Sequence, residues 1–205
     1  MNTRGEQARE QILNRAIEIA SVEGIEGLSL GVLAKELGRS KSGLFAHFAN
    51  KEALQLEVLE TASQKLTDQV LRPSLREPRG LPRLKALMGN WGRWAREESK
   101  MPGGCVFVSA SVELDDKPGA VRDRLVEIQR AWLDAMRRVI ETGIAQGHFR
   151  EDLDAEQMAF EVYSVMLGSH HYFRLLGDEA VVQRVRTSFA RILQDAAKSW
   201  VPPNR

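Results

Sequence analysis

A chain of 205 residues with 43% hydrophobic and 28% charged residues has the composition of a globular protein, and it is long enough for a small domain joined to a larger one. No stretch reaches the ~20 uncharged apolar residues of a membrane helix, and the charged N-terminus, Met1 to Arg15, lacks the apolar run of a secretory signal, so a cytoplasmic location is expected. The single cysteine, Cys105, excludes an intrachain disulfide and a cysteine metal cage, and a net charge of +1 requires any nucleic-acid footprint to be local.

Glycine and proline divide the chain into helix-length pieces without the alternating Val/Ile/Thr runs of a sheet, which predicts an all-α fold of about nine helices. The first helix is expected from Glu6 to Val22, with Ile12, Ala16, Ile19 and Ala20 on one face and Gly24 as its stop. Ser29 is placed to cap a short second helix whose apolar positions are Leu30, Leu33, Ala34 and Leu37, ended by Gly38. Ser40 caps a third of about two turns that turns Leu44 and Phe48 inward. Asn50 caps a fourth, with the stripe Leu54, Val58, Ala62, Leu66 and Val70, before Pro73 is expected to stop it.

Residues Arg72 to Pro82, with Pro73, Pro78, Pro82 and Gly80, read as a connection between units. A helix from Leu81 to Glu98 follows, then a break at Pro102-Gly103-Gly104. The apolar segment Cys105 to Leu114 contains Val106, Phe107 and Val108, which suit a strand, but a lone strand has no partner and a buried helix fits better. Glu113, Asp115 and Asp116 read as solvated acids or a helix cap. Pro118 suits the first turn of a long helix through Val121, Leu125, Ile128, Trp132, Ala135 and Val139. Asp154 and Gln157 resemble a capping box for the next helix, and Asp178 is placed to cap the last.

The last two helices carry more apolar surface than one core needs. Met158, Ala159, Phe160, Val162, Tyr163, Val165, Met166 and Leu167 leave little polar face, and Val182, Val185, Phe189, Ile192 and Ala196 alternate steps of three and four residues. Tyr163, Met166 and that second stripe are therefore candidates for a homodimer interface, with an intrachain core helix as the alternative.

Between Lys35 and Lys51 four basic residues stand against the single acid Glu36, a local charge of +3. Two short helices joined by Gly38-Arg39-Ser40 have the dimensions of a helix-turn-helix, whose second helix enters a major groove about 12 Å wide. Arg39, Ser40, Lys41, Ser42 and His47 supply donors for phosphates and base edges. Gly43 either lets the backbone approach DNA closely or packs against a neighbouring helix.

The stretch from Gly24 to Leu54, GIEGLSLGVLAKELGRSKSGLFAHFANKEAL, resembles the DNA-binding signature of the TetR family of tetracycline-repressor-like regulators. The matching positions are Leu33-Ala34, Gly38, Ser40, Gly43-Leu44-Phe45, His47-Phe48 and Lys51-Glu52-Leu54, and the resemblance covers roughly residues 8–60. It implies a repressor that a small-molecule effector releases from a palindromic double-stranded operator. By the same resemblance Ser29 caps the second helix and binds phosphate, Arg39 to Gly43 make base contacts, and His47 and Lys51 contact phosphate. Phe45 stands where the family more often has tyrosine, which implies stacking or sugar contact in place of a hydroxyl hydrogen bond.

The implied organisation is a helix-turn-helix domain at 1–50, a connecting helix at 51–72 and a helical ligand-binding and dimerisation domain at 73–205. Candidate pocket residues are Met88, Trp91, Trp94, Cys105, Phe107, Trp132, Met136, Met166, His170 and Phe173. His170 and His171 project about 100° apart on a helix and do not make a metal pair, so no metal or cofactor is expected. No nucleophile elbow, Walker loop, H-E-x-x-H or dinucleotide fingerprint is present, which disfavours an enzyme. A helical protein-binding adaptor is the remaining rival, and the register from Ser40 to Lys51 argues against it.

Overall fold

The structure is a computed structural model and describes residues 4–98 and 101–197. Every element named in it is helical, in agreement with the all-α expectation. In chain order these are α1 (Arg4–Glu23), α2 (Leu30–Glu36), α3 (Lys41–Phe45), α4 (Lys51–Leu66), α5 (Arg72–Arg76), α6 (Leu81–Arg93), α7 (Val106–Leu114), α8 (Ala120–Ala145), α9 (Ala155–Arg174) and α10 (Val181–Ala196). Wide π turns follow α4 at Thr67–Leu71 and α6 at Trp94–Glu98. The segment that could have been a strand is α7, with Val106, Phe107 and Ala110 buried.

The described residues form two compact units, one within Met1–Thr67 and Trp94–Gln129, the other within Asp68–Arg93 and Arg130–Arg205. In the first, α1 packs on α2, α4 and α7. Ile12, Ala16 and Ala20 of α1 and Leu54, Val58 and Ala62 of α4 are all fully buried in the core that these packed helices form. The alanines keep the α1 and α4 backbones close, and the larger side chains supply the apolar area that drives burial. The Gly103 N–H donates to Ser21 Oγ at 3.0 Å, which fastens the chain entering α7 to the end of α1.

In the second unit α5 packs on α6 and α9 on α10. Pro73 does not stop the fourth helix, contrary to the expectation. Its ring lacks an N–H and crowds the carbonyl four residues back, and the chain takes that strain in the wide turn at Thr67–Leu71 before resuming as α5. The Val70 carbonyl accepts from Ser74 Oγ at 2.6 Å, and Ser74 Oγ accepts from Asn90 Nδ2 at 2.9 Å. The stretch read as a connection from Arg72 is thus helical as far as Arg76.

Three caps also differ in detail. Pro118 lies outside α8, which begins at Ala120 after Gly119. Asp154 Oδ1 accepts from the Glu156 and Gln157 amides at 3.0 Å, but the Gln157 side chain donates to Glu161 in place of closing the box. The cap residue of α10 is Ala180, two residues after the expected Asp178, whose Oδ1 accepts from the Ala180 amide at 2.9 Å in the turn before the helix.

Candidate nucleic-acid interface

Three local caps build this surface, each where its residue type predicts. Ser29 Oγ accepts from the Val32 amide at 3.2 Å, Ser40 Oγ from Gly43 at 3.2 Å, and Asn50 Oδ1 from Ala53 at 2.8 Å. Each satisfies an amide that the helix itself leaves unpaired. Gly38, at φ +60°, makes the left-handed step that ends α2 and turns the chain into α3. That helix spans five residues, shorter than the two turns expected, so His47 and Phe48 lie in the turn beyond it.

Leu44 and Phe48 are buried as expected, the Phe48 ring lying under the Arg9 guanidinium at 5.3 Å. With those two facing inward, Arg39, Ser40, Lys41, Ser42, Gly43 and Phe45 face outward, and His47 is half-buried. Phe45 is 53% exposed, an unusual place for an aromatic ring unless a partner covers it. A Cβ added at Gly43 would meet Ser40 Oγ at 3.3 Å and nothing else within 4 Å. The glycine is therefore not there to admit a neighbouring helix of this chain.

Several cations elsewhere in the unit are paired with acids. Arg9 pairs with Glu57, Arg15 with Glu18 and Glu36, and Arg124 with Glu60 and Glu127, and hydrogen bonds to their acids raise the pKa values of Arg15 and Arg124. Among the described residues Arg39 and Lys41 have no such carboxylate partner. Lys51 Nζ donates to the Glu26 carbonyl at 2.7 Å, which holds the ammonium in place and leaves two of its three N–H groups for an anion. The arrangement offers a convex turn with uncompensated cations, two hydroxyls, a bare backbone and one aromatic ring, which is the chemistry of phosphate and base-edge contact.

Residues 12–58 match the family model described as bacterial regulatory proteins, tetR family, and residues 80–189 match the tetracyclin repressor-like C-terminal domain. The chain belongs to the TetR family. Its members are transcriptional regulators and not enzymes. The HTH-type transcriptional repressor AcnR of Corynebacterium diphtheriae is 24% identical over 184 residues, 90% of each chain. A TetR transcriptional regulator from Chloroflexus aurantiacus shares the fold with a TM-score of 0.81 at 22% identity, covering 94% of this chain and 95% of that one. AibR, in complex with isovaleryl coenzyme A and operator DNA, does so with a TM-score of 0.72 at 21% identity, covering 94% and 99%. The TetR fold, an N-terminal helix-turn-helix followed by a helical C-terminal region, is thus common to this chain and these two structures.

The candidate pocket residues divide between the two units. Trp94, Cys105 and Phe107 are buried in the first. Burial pushes the Cys105 thiol's pKa up, against smaller opposing effects of the Val108 and Phe107 amides and the Trp94 indole. Met88, Trp91, Trp132, Met136 and Met166 are buried in the second, with His170 and Phe173 half-buried. The His170 pKa is lowered by burial and then by the charges of Arg174 and His171, which favours a neutral imidazole.

Of the interface candidates, Met166 and Ala196 are buried within the chain, and Tyr163, Val182, Val185, Phe189 and Ile192 are half-buried. Since α10 packs on α9, part of its apolar stripe serves the chain's own core. Sequence reasoning counted Phe160 in the apolar helix without making it an interface candidate and missed Leu175 and Leu176, yet these are the more exposed positions, at 64%, 72% and 57%. A groove of about 380 Å³ between α8 and α9 has Phe160, Tyr163, Leu133 and Arg130 among its lining. An apolar helix shows which side is apolar, but which apolar side its own fold leaves open depends on the packing partner.

Proposed function

We propose that this TetR-family regulator is a homodimeric repressor that holds a palindromic operator with α3 of each subunit and releases it when a small molecule occupies its C-terminal helical region. In this reading 1–50 is the DNA-binding part, 51–72 the connecting helix and 73–205 the ligand-binding and dimerisation part. The observation that carries it is the pair of cations near the open backbone of Gly43, Arg39 and Lys41, that have no carboxylate partner among the described residues, together with Lys51 held by the Glu26 carbonyl. Repression is the activity named for AcnR, and AibR holds both an operator and an acyl-coenzyme A. A symmetric dimer presents two recognition helices, so half-sites are expected about one helical turn (~34–36 Å), or multiples of it, apart.

Phosphate and base contacts leave different signatures. Lys51→Ala is expected to weaken binding to all sequences about equally and to flatten the salt dependence by roughly one unit of slope. Arg39→Ala is expected to shift preference among operator variants by ~1–3 kcal/mol. Titrations over a range of salt on matched and mutated duplexes read both. A uniform loss for Arg39→Ala would assign it to phosphate, and an unchanged slope for Lys51→Ala would remove it from the contact set.

The dimer is supported by exposed apolar side chains, Phe160 on α9 and Leu175 and Leu176 just past its end, which the chain's own core leaves uncovered. Phe160→Glu puts a charge among them and is expected to weaken self-association by at least about tenfold, or ~1.4 kcal/mol. Sedimentation velocity across a dilution series reads the change. A variant that dimerises like the parent would move the interface elsewhere.

A further inference from the structure

The turn between α1 and α2 is gripped from two directions. The Glu113 carboxylate, half-buried at the end of α7, accepts from the Glu26 amide at 2.9 Å. Gln55 Nε2, buried on α4, donates to the Ile25 carbonyl at 2.6 Å. These are the two ends of one peptide unit, the bond joining Ile25 to Glu26. A planar peptide held at both its C=O and its N–H has a fixed plane. The next carbonyl along the chain, that of Glu26, is the one that accepts Lys51 Nζ at 2.7 Å.

Gly24 shows that the approach is built in. It takes φ +80°, and a side chain there would run into the Glu113 carboxylate. Lys117 Nζ stands 3.6 Å from the Glu26 carboxylate, adding a second tie from the segment after α7 to the same turn. All these residues belong to one compact unit.

The geometry points to Glu113 as a positioning residue for operator binding. It holds the Ile25–Glu26 peptide so that the Glu26 carbonyl presents the Lys51 ammonium to a DNA phosphate. This assignment rests on Lys51 being a phosphate contact, and the test separates the two. Glutamine at 113 keeps an oxygen that accepts from the Glu26 amide, whereas alanine does not.

The probe is a duplex recovered by selection on the parent protein, titrated at several salt concentrations with the full-length parent, E113A, E113Q, K51A and the double variant E113A/K51A. E113A is expected to bind roughly three- to tenfold more weakly, the scale of one lost hydrogen bond, with a salt slope about 0.9 shallower, the scale of one phosphate contact. E113Q is expected to restore both. The double variant is expected to bind no more weakly than K51A alone, because the two losses share one contact. Val112→Ala, at a position 73% exposed on the same helix, serves as the unaffected control.

E113A with the parent's affinity and slope would overturn the assignment. So would a loss of affinity at unchanged slope, which is what general loosening of the fold produces, or a loss that adds in full to that of K51A. If K51A itself leaves the slope unchanged, the reading of Lys51 fails first, and the positioning role fails with it.

Discussion

Phe48→Ala is expected to cost about 3–5 kcal/mol of stability, the range for removing a fully buried phenylalanine. Phe48 is 2% exposed and holds the turn after α3 beneath the Arg9 guanidinium, 5.3 Å from the ring centre. The cavity left behind cannot be filled by Leu44, which is itself buried and committed to the same core. Since whole domains are stable by only about 5–15 kcal/mol, a loss of this size removes much of the helix-turn-helix's margin. Denaturant unfolding followed by far-ultraviolet circular dichroism reads it. A loss below about 1 kcal/mol would show that the Phe48 site collapses without penalty and that the turn is held by something else.

Gly43→Leu is expected to reverse that pattern, leaving stability nearly unchanged and abolishing tight operator binding. A Cβ at this exposed position meets nothing within 4 Å but Ser40 Oγ at 3.3 Å, and helix interiors favour leucine over glycine by up to about 1 kcal/mol. On DNA the same side chain would stand between backbone and groove, where it displaces several contacts at once. A loss of at least about a hundredfold, ~2.7 kcal/mol, is the expected result, read by the same titration used for Arg39. Undiminished binding by a folded Gly43→Leu protein would place the recognition surface elsewhere.

The parts of this molecule legible in its sequence are those whose causes are local. Ser29, Ser40 and Asn50 cap helices because a short side chain reaches an amide two or three residues on, whatever the rest of the chain does. The stripe Leu54, Val58, Ala62 and Leu66 of α4 reads correctly because a helical period places those residues on one face, and Val70 in the wide turn beyond is buried with them. Pro73 misleads because what accommodates it is not local. The partner that completes the Val70 and Ser74 hydrogen bonds is Asn90, sixteen residues beyond Ser74.

The same division runs through the candidate site. Arg39, Lys41 and Gly43 are recognisable from residue type and register. That, among the described residues, Arg39 and Lys41 lack carboxylate partners while Arg9, Arg15 and Arg124 have them is a property of the folded surface alone. Glu113 is the clearest case. As a string of letters Glu113, Asp115 and Asp116 form a solvated acidic run, and only the fold carries Glu113 to an amide 87 residues away. Phe160 is similar, since a helix apolar on most sides does not announce which side its own core leaves bare.

The most direct measurement is a selection of genomic DNA fragments by the purified protein, followed by titration of the enriched site over a range of salt. The expected result is a two-fold symmetric sequence whose log Kobs falls linearly with log salt, and which the Arg39→Ala protein no longer prefers. Enrichment of no sequence, together with an affinity indifferent to salt, would contradict the assignment of α3 and its unpaired cations as the operator-binding surface.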